Sequence, residues 1–299
     1  MSLGREGGAE SGNGSVKPPP DAPASPPTCS TIHPPIKLSS PATREFWEIP
    51  VLFEDDCLLA LDKPAGLLTS PDRYDPARPN LMKLLHAGIE RGAPWAKARG
   101  LSYLMNAHRL DFETSGIILL AKGKPVLVDL ANLFGAEKPL KTYVALVQGV
   151  PKEERFTIDA GLSPHPVKLG LMRVDPRRGK RSVTRFEVRE RFCGYALVQC
   201  QPLTGRTHQI RAHLQYAGIP LVGDLAYGGA PLWLSRLKPV YRLKPGQTER
   251  PLISRAALHA EQLALTHPAI GTDLRIVAPW PKDLAVAVNY LRRYALAPA

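Results

Sequence analysis

Cysteine is scarce, with four in 299 residues, and Cys29, Cys57, Cys193 and Cys200 make neither a Cys-x-x-Cys pair nor the spacing of a small secreted domain. That excludes a disulfide scaffold and fits a reducing cytoplasm. No apolar run approaches the ~18 residues needed to span a bilayer, and the N-terminus lacks the apolar segment of a signal peptide. A soluble chain with no membrane partner is expected. Acidic residues are in deficit too: 27 Asp and Glu face 39 Lys and Arg, for a formal charge of +12 and a pI near 9.7. Such a balance favours nucleic acid or another polyanion as partner.

Aromatic residues are absent from positions 1–44, which instead hold nine prolines and five glycines. A stretch of that composition cannot bury enough apolar area to offset the entropy of ordering, so 1–44 is expected to be a disordered tail and 45–299 a single folded domain. Within the domain, Val51-Leu52-Phe53 and Leu58-Leu59-Ala60-Leu61 flank Glu54-Asp55-Asp56 like the strands of a hairpin. Asn80 to Gly92 has helical apolar spacing with Asn80 as N-cap, and Val126 to Phe134 reads as a second helix. Lys141–Val150, Phe156–Ala160, Ser182–Arg189 and Tyr195–Gln201 read as strands. Strands outnumber helices and no βαβ alternation is present. An α+β fold follows, with a mixed, largely antiparallel central sheet flanked by helices. Ala230 to Ser254 reads as a loop insertion, and Val167 to Arg181 as a basic loop carrying Lys168, Arg173, Arg177, Arg178, Lys180 and Arg181 against Asp175.

Two polar clusters stand out against this background. His108-Arg109-Leu110-Asp111-Phe112-Glu113-Thr114-Ser115-Gly116 runs into the apolar Ile117-Ile118-Leu119-Leu120-Ala121, so Asp111 sits in a turn directly before a core strand. Leu203-Thr204-Gly205-Arg206-Thr207-His208-Gln209-Ile210-Arg211-Ala212-His213-Leu214 crowds two arginines and two histidines among core residues. Both clusters, in this order, resemble motifs of the RluA-type pseudouridine synthases. Asp62-Lys63-Pro64-Ala65-Gly66-Leu67-Leu68-Thr69, Lys141-Thr142-Tyr143, and Leu258-His259-Ala260 to Ala278-Pro279-Trp280-Pro281 are similar to three further motifs of that family. The likeness runs from about Trp47 to Asp283; Asp62 stands where the family more often has asparagine.

The resemblance implies an enzyme that isomerises uridines of structured RNA, ribosomal or transfer, with no cofactor and no metal, acting as a monomer. It implies Asp111 as the catalytic carboxylate, Arg206 as its paired cation and Tyr143 as the ring that stacks on the target base. It further implies that Arg109 enters the helix stack where the base has been extruded, and that Ile210 forms an apolar wall. Chemically the reaction needs an ionised carboxylate by the ribose and a cation to keep it ionised, since burial alone would neutralise it. Attack on the sugar and removal of its 2′ proton are both open to such a group. RNA contacts are expected from Arg109, Ile210, Arg211, Lys168, Arg177, Arg178 and Lys180.

Two competitors deserve weighing. A metal hydrolase would have to use His108, His208, His213, His259 and His267, but His208 and His213 are five apart, about 140° around a helix. A catalytically idle RNA-binding module would have no use for a carboxylate in a basic cleft.

Overall fold

The computed structural model describes residues 33–72, 75–244 and 246–296. The first half of the chain contains β1 (Ile36–Ser40), β2 (Glu45–Ile49), β3 (Val51–Glu54), β4 (Leu58–Lys63), α1 (Leu81–Glu90), α2 (Pro94–Lys97), β5 (Met105–Asn106), β6 (Ser115–Ala121), α3 (Lys124–Gly135) and β7 (Leu140–Gln148). The second half adds β8 (Arg155–Asp159), β9 (Leu162–Pro164), β10 (Met172–Val174), β11 (Val183–Phe192), β12 (Tyr195–Pro202), α4 (Gln209–Tyr216), α5 (Leu234–Leu237), β13 (Leu258–Thr266), β14 (Asp273–Val277) and α6 (Lys282–Tyr294). A 10-stranded sheet runs β3-β4-β6-β13-β7-β12-β11-β8, with β14 beside β13 and β5 beside β6. Its pairings are antiparallel except that of β6 with β13. The architecture is therefore the mixed, largely antiparallel α+β one expected.

The strand period of two explains how one sheet carries cores on both faces. In β6, Ile118 and Leu120 join the core under α1, α2 and the β1–β2 hairpin, while Ile117, Leu119 and Ala121 join the one under α3 and β14. In β7, Val144 and Leu146 face α6, whereas Ala145 and Val147 face α4. The two halves of the sheet meet at the parallel joint, where Gly116 has φ +111° and a Cβ would stand 2.3 Å from the Ala260 carbonyl oxygen. Only glycine fits there. The close approach brings the Asp111 turn, which ends at β6, next to β13 and β7.

Three expectations need correction. Residues 36–40, expected within the disordered 1–44 tail, form β1 and pair with β2, because Ile36, Leu38 and Ser40 alternate inward against Ile49. Residues 1–32 of that tail lie outside the described residues. The basic stretch from Val167 to Arg181 is not all loop, since Met172–Val174 pairs with Leu162–Pro164. The 230–254 insertion is not all loop either: it holds α5, Leu232 bridges Ile253, and both pack with Leu237 against α6.

Candidate active site

Asp111 occupies a turn closed by the Thr114 N–H on the Asp111 carbonyl at 3.2 Å. Surrounding elements hold the turn from all sides. The Thr69 hydroxyl donates to the Leu110 carbonyl at 2.9 Å and accepts from the Leu110 N–H at 3.1 Å; the Gly66 N–H binds the Phe112 carbonyl at 2.8 Å, and Arg255 Nη1 the Glu113 carbonyl at 3.0 Å. Beneath it lies Lys63, fully buried, whose Nζ donates to the carbonyls of Pro64 and Leu67 at 2.8 and 2.7 Å. Burial pushes the Lys63 pKa down to about 7, with the Asp111 charge acting in the opposite sense. The turn is thus a rigid mount for one carboxylate.

The Asp111 carboxylate, 17 % exposed, opens on a cleft of about 390 Å³. Arg109, Lys141, Tyr143, Arg206, His208, Ile210 and Arg211 line the same cleft. Tyr143 projects from β7, paired between Ala260 of β13 and Cys200 of β12. Its hydroxyl is pushed well above the usual tyrosine value by burial and next by the Asp111 charge, so it stays a neutral phenol. Ile210, 5 % exposed, and Leu258 belong to the α4 core and give the cleft an apolar wall. Arg109 is exposed at the rim.

Asp111 does not meet the guanidinium that was expected. The cation beside it is Arg211, with Nη1 3.9 Å from Asp111 Oδ2, while His208 Nε2 stands 3.9 Å from Oδ1. Arg206 is exposed and its Nε donates to the Arg181 carbonyl at 3.2 Å, which ties the cleft rim to the end of the basic 167–181 stretch, just before β11. The reason is helical geometry: Arg206 precedes α4, whereas Arg211 lies within its first turn on the buried side. Arg211 thus lies inside the cleft and not on the outer surface. It is 6 % exposed and forks onto fully buried Asp224, Nε to Oδ2 at 2.7 Å and Nη2 to Oδ1 at 2.8 Å. Burial works against the Arg211 charge, but the hydrogen bonds and charge of Asp224, together with the Asp111 charge, outweigh it and raise its pKa.

Gln209 explains why α4 starts where it does. Its side-chain carbonyl accepts from the Thr204 hydroxyl and the Arg206 N–H, and its amide donates to the Val183 carbonyl and the Thr184 hydroxyl, so every bond sews α4 to β11 and the preceding loop. His208 then caps the helix in a left-handed conformation, φ +51°.

The histidines that a metal enzyme would need are otherwise engaged. His108 Nε2 accepts the Leu119 N–H, His213 binds Thr184 and the Ala160 carbonyl, His259 pairs with Ser115 and His267 with Asp55. Among the described residues no group of three His, Cys, Asp or Glu side chains is arranged to hold a metal ion.

A family model described as RNA pseudouridylate synthase matches residues 57–216, more than half of the chain. The chain belongs to that family. The ribosomal large subunit pseudouridine synthase C of Salmonella typhi is 36% identical over 247 residues, 82% of this chain and 70% of that one. The ribosomal large subunit pseudouridine synthase D of Xanthomonas campestris is 34% identical over 257 residues, 81% and 69% of the two chains. Among solved structures, human RNA pseudouridylate synthase domain containing 4 superposes with a TM-score of 0.60 at 25% identity, covering 83% of this chain and 94% of that one. The chain is an RNA pseudouridine synthase of the RluA type, an isomerase.

Sequence reasoning missed two residues of this synthase. Asp224 and Tyr227 lie in Gly223-Asp224-Leu225-Ala226-Tyr227-Gly228-Gly229, and a Cβ at Gly229 would fall 1.7 Å from the Leu221 carbonyl oxygen. A charged residue inside a glycine-rich turn that follows Leu221-Val222 was the available signal.

Proposed function

We propose that the synthase isomerises a uridine of structured ribosomal RNA, with Asp111 as the catalytic carboxylate, Arg211 as its counter-cation and Tyr143 as the surface against the target base. One observation carries this reading: a rigidly mounted, partly exposed carboxylate faces an aligned guanidinium across a cleft that an aromatic ring also lines. The relatives named above, both large-subunit ribosomal RNA enzymes by name, support the choice of RNA class.

The chemistry matches what the cleft offers. The bond from ribose C1′ to N1 of the base breaks, the base turns, and a bond from C1′ to C5 forms as the C5 proton leaves and N1 takes up a proton. The isomerisation is redox-neutral and consumes no second substrate, so it calls for no cofactor. Asp111 acts at the sugar, and Arg211 keeps it ionised there. A base inside a duplex is out of reach of the carboxylate, so the nucleotide is extruded, and Arg109 at the rim fills the gap it leaves. Ile210 and Leu258 exclude water from one side of the base. Phosphates are held by Lys168, Arg177, Arg178 and Lys180, which are exposed and whose side chains have no carboxylate partner among the described residues, and by Arg206 between this basic stretch and the cleft.

Carbodiimide-based sequencing of pseudouridines in a deletion strain and its parent tests the reading. Loss of one or a few sites in large-subunit ribosomal RNA, restored by the wild-type chain, is expected. Loss confined to transfer RNA would overturn the substrate assignment.

A further inference from the structure

The groups that face Asp111 are both held by one buried phenol. Tyr227, 2 % exposed, packs its ring edge-on to His208 and lies under the Arg211 guanidinium at 4.8 Å. Its hydroxyl accepts the Met172 N–H at 2.9 Å and lies 2.9 Å from His208 Nδ1. The proton count then fixes the imidazole. A backbone N–H can only donate, so Met172 occupies a lone pair of the Tyr227 oxygen and leaves the single O–H proton for Nδ1. With Nδ1 accepting, a neutral ring carries its proton on Nε2, the nitrogen 3.9 Å from Asp111 Oδ1. The opposite tautomer would strand the phenol proton and aim the Nε2 lone pair at a carboxylate. Both would be unfavourable in so enclosed a site. Burial holds the His208 pKa below its ordinary value despite the nearby Asp111 charge, so the ring is neutral at neutral pH and its tautomer decides what it offers. His208 also holds a left-handed backbone, which is costly for a residue other than glycine and persists only where surrounding contacts impose it.

We propose that Tyr227, itself anchored by the Met172 N–H, is a positioning residue that fixes His208 as the Nε2–H tautomer, so that His208 presents a donor to Asp111 Oδ1 while Arg211 faces Oδ2. Asp111 is then oriented from both oxygens. Because Met172 belongs to β10, two hydrogen bonds run from that strand through Tyr227 to His208, whose Nε2 then approaches the carboxylate at 3.9 Å. The consequence for turnover rests on Asp111 being the catalytic group; the tautomer does not.

Long-range proton–nitrogen correlation spectra of the histidine rings in the intact enzyme, with the His208 signals assigned by their loss in His208→Gln, read the tautomer directly. A protonated Nε2 and bare Nδ1 are expected in the wild type, and a mixture in Tyr227→Phe. That variant should lose about twofold to tenfold in kcat, the range implied by losing one neutral hydrogen bond, with KM for RNA within about twofold. His208→Gln, whose amide can supply the Nε2–H, should retain more activity than His208→Leu. A proton on Nδ1 in the wild type, an unchanged tautomer in Tyr227→Phe, or equal losses in the Gln and Leu variants would overturn the proposal. If the tautomer is as stated but Asp111→Asn remains active, the catalytic reading of Asp111 fails and the assignment of His208 stands.

Discussion

Arg211 donates two hydrogen bonds to Asp224 from Nε and Nη2, which leaves Nη1 directed toward Asp111 and sets Nη2 3.8 Å from Glu113. A lysine keeps the charge but cannot make this fork. Arg211→Lys is therefore expected to lower kcat by about a hundredfold, because the aligned cation at Asp111 is lost. It should also lower the melting temperature, since fully buried Asp224 loses half its partners. Arg206→Ala, by contrast, should raise KM for RNA and leave kcat nearly unchanged. Steady-state kinetics and thermal melts of the two variants decide between the arginines. The motif around them was legible in the sequence, and so were Asp111, Tyr143 and Ile210 as cleft residues. Which guanidinium reaches the carboxylate was not, because the choice depends on where α4 begins, and Gln209 fixes that through bonds to Val183 and Thr184 some 25 residues away.

Elements with a clean period were read well, for a physical reason. β6 and β7 are covered on both faces and α1 carries its own cap in Asn80, whose side chain accepts the Lys83 N–H at 2.9 Å, so local sequence determines each of them. β1 was missed because Pro34, Pro35 and Pro41 bracket its five residues and hide the alternation of Ile36 and Leu38. The hairpin of β9 and β10 was missed because its strands are three residues each and are joined by a polar loop. A testable consequence at this scale concerns His108, which joins the Asp111 turn to two elements: its ring stacks on Phe134 of α3 at 5.0 Å and its Nε2 accepts from Leu119 of β6. Burial lowers its pKa to about 3 from an unfolded value of 6.5. Between these values the unfolded chain binds the extra proton, so His108 stabilises the fold fully above pH 6.5 and that contribution is lost as pH falls toward 3. Urea denaturation should show stability declining below pH 6.5, and His108→Gln, which cannot titrate, should make the decline shallower. An identical pH dependence in the variant would remove His108 from this role.

At the scale of the whole molecule the charge of +12 has an address. Lys168 lies in the β9–β10 loop and Arg177, Arg178 and Lys180 in the turn that follows β10, where the N–H groups of Arg177 and Arg178 are held by the Asp175 carboxylate at 3.2 and 3.0 Å, which fixes the backbone that presents them. Changing Arg177, Arg178 and Lys180 to Glu should weaken binding of unrelated RNAs about equally and flatten the log–log salt slope by roughly 0.7–0.9 per lost phosphate contact. Titrations at several salt concentrations measure this, and an unaltered slope would move the RNA to another face.

On the proposed function, Asp111 performs the chemistry on RNA held by other residues. Bond formation at C5 expels the C5 proton, so RNA carrying tritium at C5 of uridine releases it to water on turnover. Asp111→Asn is expected to bind this RNA with close to wild-type affinity and to release no tritium above background. Release near the wild-type rate from the bound variant would contradict it.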